Sequence, residues 1–325
     1  MALTLSLPED SCAIAVCAVI PDPVFASPVS TESTSMFMSQ RLFVRMLVLP
    51  LLLCLTGNVA LCREPQIRKW TVDGVAREAQ VYLPADAETK PAPLVFGFHG
   101  HGGSMSNAAK TFRIHELWPE AIVVYMQGLK TPGQLTDPEG RRSGWQKTSG
   151  DQQDRDLKFF DEVLRSLRKE FRVDDARIYS TGHSNGGGFT YLLWAERSDV
   201  FAAMAPSGAA ALRLRDRLKP KPVLHIAGTN DPLVRYEWQK QMIDMLKARQ
   251  QCQAGVPWQG RATLFASPIH APVVTLLTEQ GHKYPTGAAE LTVRFFQDHP
   301  RRDSAEPTGS APQSDAVGKS TSEGQ

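Results

Sequence analysis

The stretch Tyr179-Ser-Thr-Gly-His-Ser-Asn-Gly-Gly-Gly-Phe189 decides how this chain is read. Within it, Gly182-His183-Ser184-Asn185-Gly186 fits the G-x-S-x-G pattern. The residues Ala176-Arg-Ile-Tyr-Ser180 before it read as a short buried strand. The residues Phe189-Thr-Tyr-Leu-Leu-Trp-Ala195 after it read as a packed helix. A serine on a tight strand-to-helix turn is a nucleophile elbow. The turn is crowded, so small residues must flank the serine, and Gly182 and Gly186 meet that need. The helix N-terminus beneath Ser184 favours the negative charge that develops in acyl transfer. A five-residue match alone is weak. The strand before it and the helix after it supply the context that the chemistry requires.

Outward from this centre, buried strands alternate with helices. Leu94-Val-Phe-Gly-Phe98 is a continuous apolar run, as in a central parallel strand. Ala121-Ile-Val-Val-Tyr125, residues 201–207, residues 222–227 and residues 271–277 read as further strands. The pattern Leu157, Phe160, Leu164, Leu167, Phe171 predicts an amphipathic helix over 156–171. Residues 236–249 and 287–299 read as helices. Asp73-Gly74 predicts a hairpin turn between residues 67–72 and 79–83. A long polar loop over 127–153 contains Trp145. Loops of that length are usually functional or flexible. The fold class expected is α/β: a mostly parallel central sheet with helices on both faces, the α/β-hydrolase arrangement.

The ends of the chain differ in character. Met46-Leu-Val-Leu-Pro-Leu-Leu-Leu-Cys-Leu55 has the length of a signal-peptide core, with Arg41 and Arg45 before it and a cleavage point after Ala60. Translation is expected to begin near Met36, Met38 or Met46. Residues 1–60 are thus expected to be an N-terminal extension and signal peptide, 61–300 a catalytic domain, and 301–325 a disordered Ser/Pro-rich tail. Export to the periplasm or the medium follows, without stable membrane insertion. Cys62 and Cys252 form one disulfide or remain two thiols, and the sequence does not choose between these. A net charge of +2 gives no argument for nucleic acid.

In an open α/β sheet, reactive groups gather beyond the carboxyl ends of the strands. Ser184, Asp231 and His282 stand there in the chain order serine, acid, histidine. His282 would take the proton of Ser184, and Asp231 would hold the imidazole tautomer. Asp154 and Asp156 precede the nucleophile and begin a helix, where capping is natural. His225 lies mid-strand and reads as a core histidine. Two backbone N–H groups should bind the developing oxyanion, those of Asn185 and His101. His99 and His101 could instead ligate a metal, but no third ligand stands nearby, so no metal or other cofactor is expected. Trp145 and Trp258 either stack on a substrate ring or pack in the core.

These pieces resemble the polyhydroxybutyrate depolymerase-like esterases, which include the feruloyl and acetylxylan esterases of the first carbohydrate esterase family. The resemblance rests on Phe98-His-Gly-His-Gly-Gly-Ser104, Tyr125-Met-Gln-Gly-Leu129, Ser143-Gly-Trp145 and Asp156-Leu-Lys-Phe-Phe160. It continues through Val173-Asp-Asp-Ala-Arg-Ile-Tyr179, Thr181-Gly-His-Ser-Asn-Gly-Gly187, Gly228-Thr-Asn-Asp-Pro-Leu-Val234 and Gly281-His282, and covers residues 67–299. It implies a secreted serine esterase with Ser184, Asp231 and His282 at the family's catalytic positions. It departs at Asp154-Arg155-Asp156, where the family often has paired acids, and in the loop 131–150. No surface-binding domain is visible after residue 300. Small or soluble esters, feruloyl or acetyl groups on polysaccharides or short hydroxyalkanoate oligomers, are therefore expected rather than solid polyester. A serine peptidase of the prolyl-oligopeptidase type shares fold and residue order, and a non-catalytic binding protein on the same scaffold is a further alternative.

Overall fold

The computed structural model describes residues 64–301. The expected signal segment, the start codons, Cys62 and the tail after residue 301 lie outside the described residues. Strand β1 (Gln66–Val72) turns through Asp73-Gly74 into β2 (Val75–Tyr82). Both turn residues take positive φ, 49° and 77°, which matches the twist of the two strands. β3 (Ala92–Phe98) is buried along its whole length. Helices α1 (Met105–Phe112) and α2 (Ile114–Leu117) follow, then β4 (Ile122–Met126). Ser104 starts α1, its hydroxyl accepting the Asn107 N–H at 3.1 Å. A small ribbon, β5 (Leu129–Lys130) with β6 (Ser143–Gly144), orders the long polar loop. Next come α3 (Arg155–Glu170), β7 (Val173–His183), α4 (Asn185–Glu196), β8 (Ala203–Ser207) and β9 (Val223–Gly228). The chain continues through α5 (Tyr236–Arg249), β10 (Gly255–Pro257), β11 (Ala262–Phe265), β12 (Val273–Thr278) and α6 (Ala288–Asp298).

Ten strands form one sheet in the order β1-β2-β4-β3-β7-β8-β9-β12-β11-β10. The run from β4 to β12 is parallel, and hairpins close both edges in antiparallel fashion. This is the α/β-hydrolase architecture. Successive residues of the central strands feed opposite faces. Leu94, Phe96 and Phe98 of β3 join the core beneath α3, α4 and α5. Val95 of the same strand joins the other core, beneath α1, α2 and α6. Both faces are covered, which is why the strand reads as an unbroken apolar run.

The helix α3 does not start as the sequence suggests. Asp156 does not cap it. Its carboxylate is wholly buried and accepts from Arg77 Nη2 of β2 at 2.8 Å and from the Gln146 N–H at 2.8 Å. The free N–H groups of the helix are taken instead by the Gln146 side-chain oxygen, which accepts from Asp156 N at 3.0 Å and Leu157 N at 3.2 Å. The Arg77 guanidinium also lies 4.2 Å over the Phe159 ring. Three segments far apart in sequence are therefore joined at one buried ion pair. Burial holds the Arg77 pKa below its ordinary value, with Asp156 opposing that shift. Asp156→Ala leaves the guanidinium buried and unpaired, at a cost on the order of 3–5 kcal/mol. Urea unfolding of the variant should show a much lower midpoint at unchanged slope, and an unaltered midpoint would contradict this role for the pair.

Candidate active site

The turn between β7 and α4 is held by two close approaches. A Cβ built on Gly186 would stand 2.1 Å from the Phe98 carbonyl oxygen. One on Gly182 would stand 2.3 Å from the Gly186 carbonyl oxygen. Real Cβ atoms do not survive such contacts, so both positions need glycine. Between them Ser184 takes φ 59° and ψ −121°. A non-glycine residue there is strained by roughly 1–3 kcal/mol. The turn is tied across the sheet by the Ser184 N–H donating to the Ser207 carbonyl of β8 at 2.8 Å.

His282 and Asp231 arrive from loops after neighbouring strands. β12 pairs with β9 in parallel register, Thr278 opposite Gly228. The loops beyond are stitched together by Thr229 N to Thr278 O at 2.7 Å and Asn230 Nδ2 to Glu279 O at 2.8 Å. His282 Nε2 lies 2.7 Å from Ser184 Oγ, and His282 Nδ1 lies 2.7 Å from Asp231 Oδ2. The Asp231 side chain is 1% exposed. Its Oδ1 accepts the Leu233 and Val234 N–H groups, both at 2.9 Å, and its Oδ2 also faces Gln239 Nε2 at 3.3 Å. A carboxylate so placed accepts the Nδ1 proton. Nε2 is then left as the acceptor for the serine hydroxyl.

His183, next to Ser184, bears on His282. The two rings lie 4.9 Å apart. His183 Nδ1 lies 3.1 Å from Ser207 Oγ, and its ring also bonds to the His282 backbone. Burial first, and the neighbouring His282 imidazole second, push the His183 pKa down to about 4. A neutral strut therefore props the histidine loop against the elbow. Nothing in the sequence pattern singles out this role, which depends on the two loops meeting in space.

The loop over residues 99–103 faces the serine. A Cβ on Gly100 would sit 3.5 Å from Ser184 Cβ. Within the loop, the Gly102 N–H is bonded to Ser143 O and the Gly103 N–H to Gly100 O. The His101 side chain lines the cleft, with Nε2 3.0 Å from Asp137 Oδ2. That contact, and the Arg141 and Arg142 N–H groups, draw the Asp137 pKa down to about 2. His99 points away: its Nε2 accepts the Gly128 N–H at 3.0 Å, so its other nitrogen carries the proton, as burial favours. His99 and His101 thus have separate partners. Among the described residues no group of side chains is suited to hold a metal ion. Asn185 opens α4, where its N–H has no intrahelical acceptor. Its side chain clamps Trp145, accepting the Trp145 N–H at 2.7 Å and donating to the Trp145 carbonyl at 3.1 Å.

Neither tryptophan named from the sequence meets the cleft. Trp145 is 0% exposed, stacks on Phe189, and donates from its indole nitrogen to the His99 carbonyl at 2.9 Å. It braces the glycine loop from beneath and offers no face to a substrate. Trp258 is half-buried and packs edge-on against Phe295 of α6, 6.3 Å between ring centres, against the core on the far face. The tryptophan in the cleft is Trp238 on α5, 37% exposed. The cleft encloses about 850 Å³, with Ser184 and His282 in its wall. His225 is buried in β9, as its mid-strand place suggests, with Tyr191 Oη 2.6 Å from its Nδ1.

No family model matches the chain. Among curated proteins it is similar to a probable feruloyl esterase C of Aspergillus flavus, 28% identical over 224 residues, 64% of this chain and 78% of that protein. It is as similar to feruloyl esterase C of Emericella nidulans, 28% identical over 222 residues with the same shares covered. Among solved structures, a ferulic acid esterase superposes with a TM-score of 0.53 at 14% identity, over 72% of this chain and 98% of that one. That likeness shows the fold.

The buried histidines set an acid limit on stability. His183 and His225 have pKa values of about 4, and burial lowers His99 and His115 as well. Between the ordinary histidine pKa of about 6.5 and these lowered values, the unfolded chain binds more protons than the folded one. Stability is therefore full above that range and falls as pH drops through it, by on the order of 1 kcal/mol per pH unit for each such group. The urea midpoint should be clearly lower at pH 5 than at pH 7, and equal midpoints would contradict the assignment. The chain thus has the α/β-hydrolase fold and resembles the feruloyl esterases in sequence, and the two together support a carboxylic ester hydrolase.

Proposed function

We propose that this protein is an exported serine esterase that works through an acyl-enzyme, with Ser184 as nucleophile, His282 as general base and acid, and Asp231 as the group that orients the imidazole. The observation that carries this reading is the unbroken chain of hydrogen bonds from Ser184 Oγ through both nitrogens of His282 to Asp231. In the first half-reaction Ser184 Oγ attacks the ester carbonyl carbon, and its proton passes to His282 Nε2. Asp231 stabilises the imidazolium without taking its proton. The carbonyl oxygen gathers negative charge and is met by the Asn185 and His101 N–H groups. Collapse breaks the bond to the alcohol, which leaves with the proton from His282. Water then repeats the sequence on the acyl-serine and releases the acid.

Relatives described as feruloyl esterases favour a hydroxycinnamoyl ester on a carbohydrate as the substrate. A cleft of about 850 Å³ has room for an aromatic acyl group and part of a sugar. Leu135, Leu233 and Trp238 give it an apolar wall. Acetyl esters and short hydroxyalkanoate oligomers are smaller rivals for the same site. Export is the reading favoured by the apolar segment over residues 46–55. Among the described residues no helix is long and apolar enough to cross a membrane.

Ser184→Ala should lower kcat on methyl ferulate by about ten-thousandfold or more, with an unchanged thermal unfolding profile or one slightly raised by relief of contacts at the turn. Steady-state kinetics with p-nitrophenyl acetate beside methyl ferulate checks this. Turnover retained within tenfold of the parent would remove Ser184 from the mechanism.

A further inference from the structure

The cleft beside Ser184 carries more positive charge than a neutral ester requires. Arg142, Lys147 and Arg213 all line it, and Asp151 is the single acidic side chain among the described residues that do so. The three cations come from separate segments. Arg142 precedes β6, Lys147 follows it, and Arg213 lies in the short 3₁₀ helix Leu212–Arg217 after β8. Among the described residues none of the three side chains makes an ion pair, although most other arginines of the surface do. Arg142 lies over the glycine loop: a Cβ on Gly102 would stand 3.2 Å from its Cδ. This places a guanidinium beside the loop that faces the serine. Lys147 is half-buried, and burial lowers its ammonium pKa, with Asp151 opposing that shift and Arg213 adding to it. Arg213 is thus close enough to Lys147 to repel it. Cations gathered in a cleft in excess of its counter-charge raise the local concentration of anions. Guanidinium groups present paired donors that match the two oxygens of a carboxylate.

We propose that the site takes esters that bear a carboxylate at a distance from the scissile bond, with Arg142, Lys147 and Arg213 as the residues that set this preference. The inference rests on the esterase reading above and narrows its substrate class. The apolar wall of Leu135, Leu233 and Trp238 holds the body of the substrate, while the basic side holds the acid group.

The test compares matched esters with and without the acid group. Mono-p-nitrophenyl glutarate against p-nitrophenyl pentanoate places the carboxylate on the acyl side. The acetyl ester of 4-hydroxybutanoate against pentyl acetate, followed by acid release, places it on the alcohol side. In one of the two pairs kcat/KM should favour the anionic ester by roughly tenfold, as expected from two or three partly exposed charge contacts. That ratio should shrink as salt is raised, because such contacts are screened. In the Arg142→Gln, Arg213→Gln double variant it should fall to near one, whatever the absolute rates. A ratio at or below one in both pairs, or a ratio that neither salt nor the double variant moves, would overturn the proposal. Calorimetry on the Ser184→Ala protein, with monomethyl glutarate against methyl pentanoate, gives the same comparison without turnover. Lack of hydrolysis of every ester would defeat the esterase reading, while tighter binding of the neutral ester in the calorimeter, together with a ratio at or below one in the alcohol-side pair, would defeat the charge preference.

Discussion

The whole site depends on one steric constraint, the contact of the β7–α4 turn with the end of β3. A Cβ at Gly186 would fall inside the Phe98 and His99 carbonyls, and a Cβ at Gly182 would fall inside the turn itself. With both glycines in place the turn closes tightly enough to force Ser184 to φ 59°. That conformation lifts the hydroxyl away from the strand and above the first turn of α4. The cost is local strain, which the surrounding sheet must hold. The same proximity brings the glycine loop after β3 over the serine. The sterics that shape the serine turn therefore also bring this loop against it.

Around that turn, rigidity comes from unglamorous contacts. Trp145 is locked by both ends of the Asn185 side chain and supports the His99 carbonyl from below. His183 props the loop that carries His282. Gln146 caps α3 while its own N–H satisfies Asp156. The polar segment between β4 and α3 is thereby a wall built from the outside inward, with its buried residues on the scaffold and Arg142 and Lys147 on the cleft. Hydrogen bonds to groups that no water can reach are costly to lose, so each of these contacts fixes geometry as well as adding stability.

Much of this was legible from residues alone, for a physical reason. Buried parallel strands such as Leu94-Val-Phe-Gly-Phe98 must be apolar on both faces, and the helix over 156–171 has a clear stripe. The serine turn needs glycine at two fixed offsets, so it leaves a trace in five residues. The hairpin of β11 and the edge strand β10 left no such trace, since Gly255, Pro257 and Gly260 read as loop and an edge strand tolerates such residues. Helix α1 was missed too, being two turns long with Ala108, Ala109 and Phe112 its only buried residues. For Trp145 and Trp258 the residues alone left stacking on a ligand and packing in the core both open, because a tryptophan among polar residues is compatible with either. Burial by Phe98, Phe189 and Phe295 is a property of packing, not of spacing. The Arg77–Asp156 pair and the His101–Asp137 pair join residues 79 and 36 positions apart, and no local pattern reports them.

The central claim is that the strained hydroxyl of Ser184 is made reactive by the imidazole of His282. The most direct measurement is reaction with a fluorophosphonate, followed by peptide mass spectrometry, on the parent protein and on His282→Ala. The account predicts one adduct, on the peptide carrying Ser184, and its loss or a slowing of at least a thousandfold in the variant. An adduct on another residue, or equal labelling of Ser184 with and without His282, would contradict it.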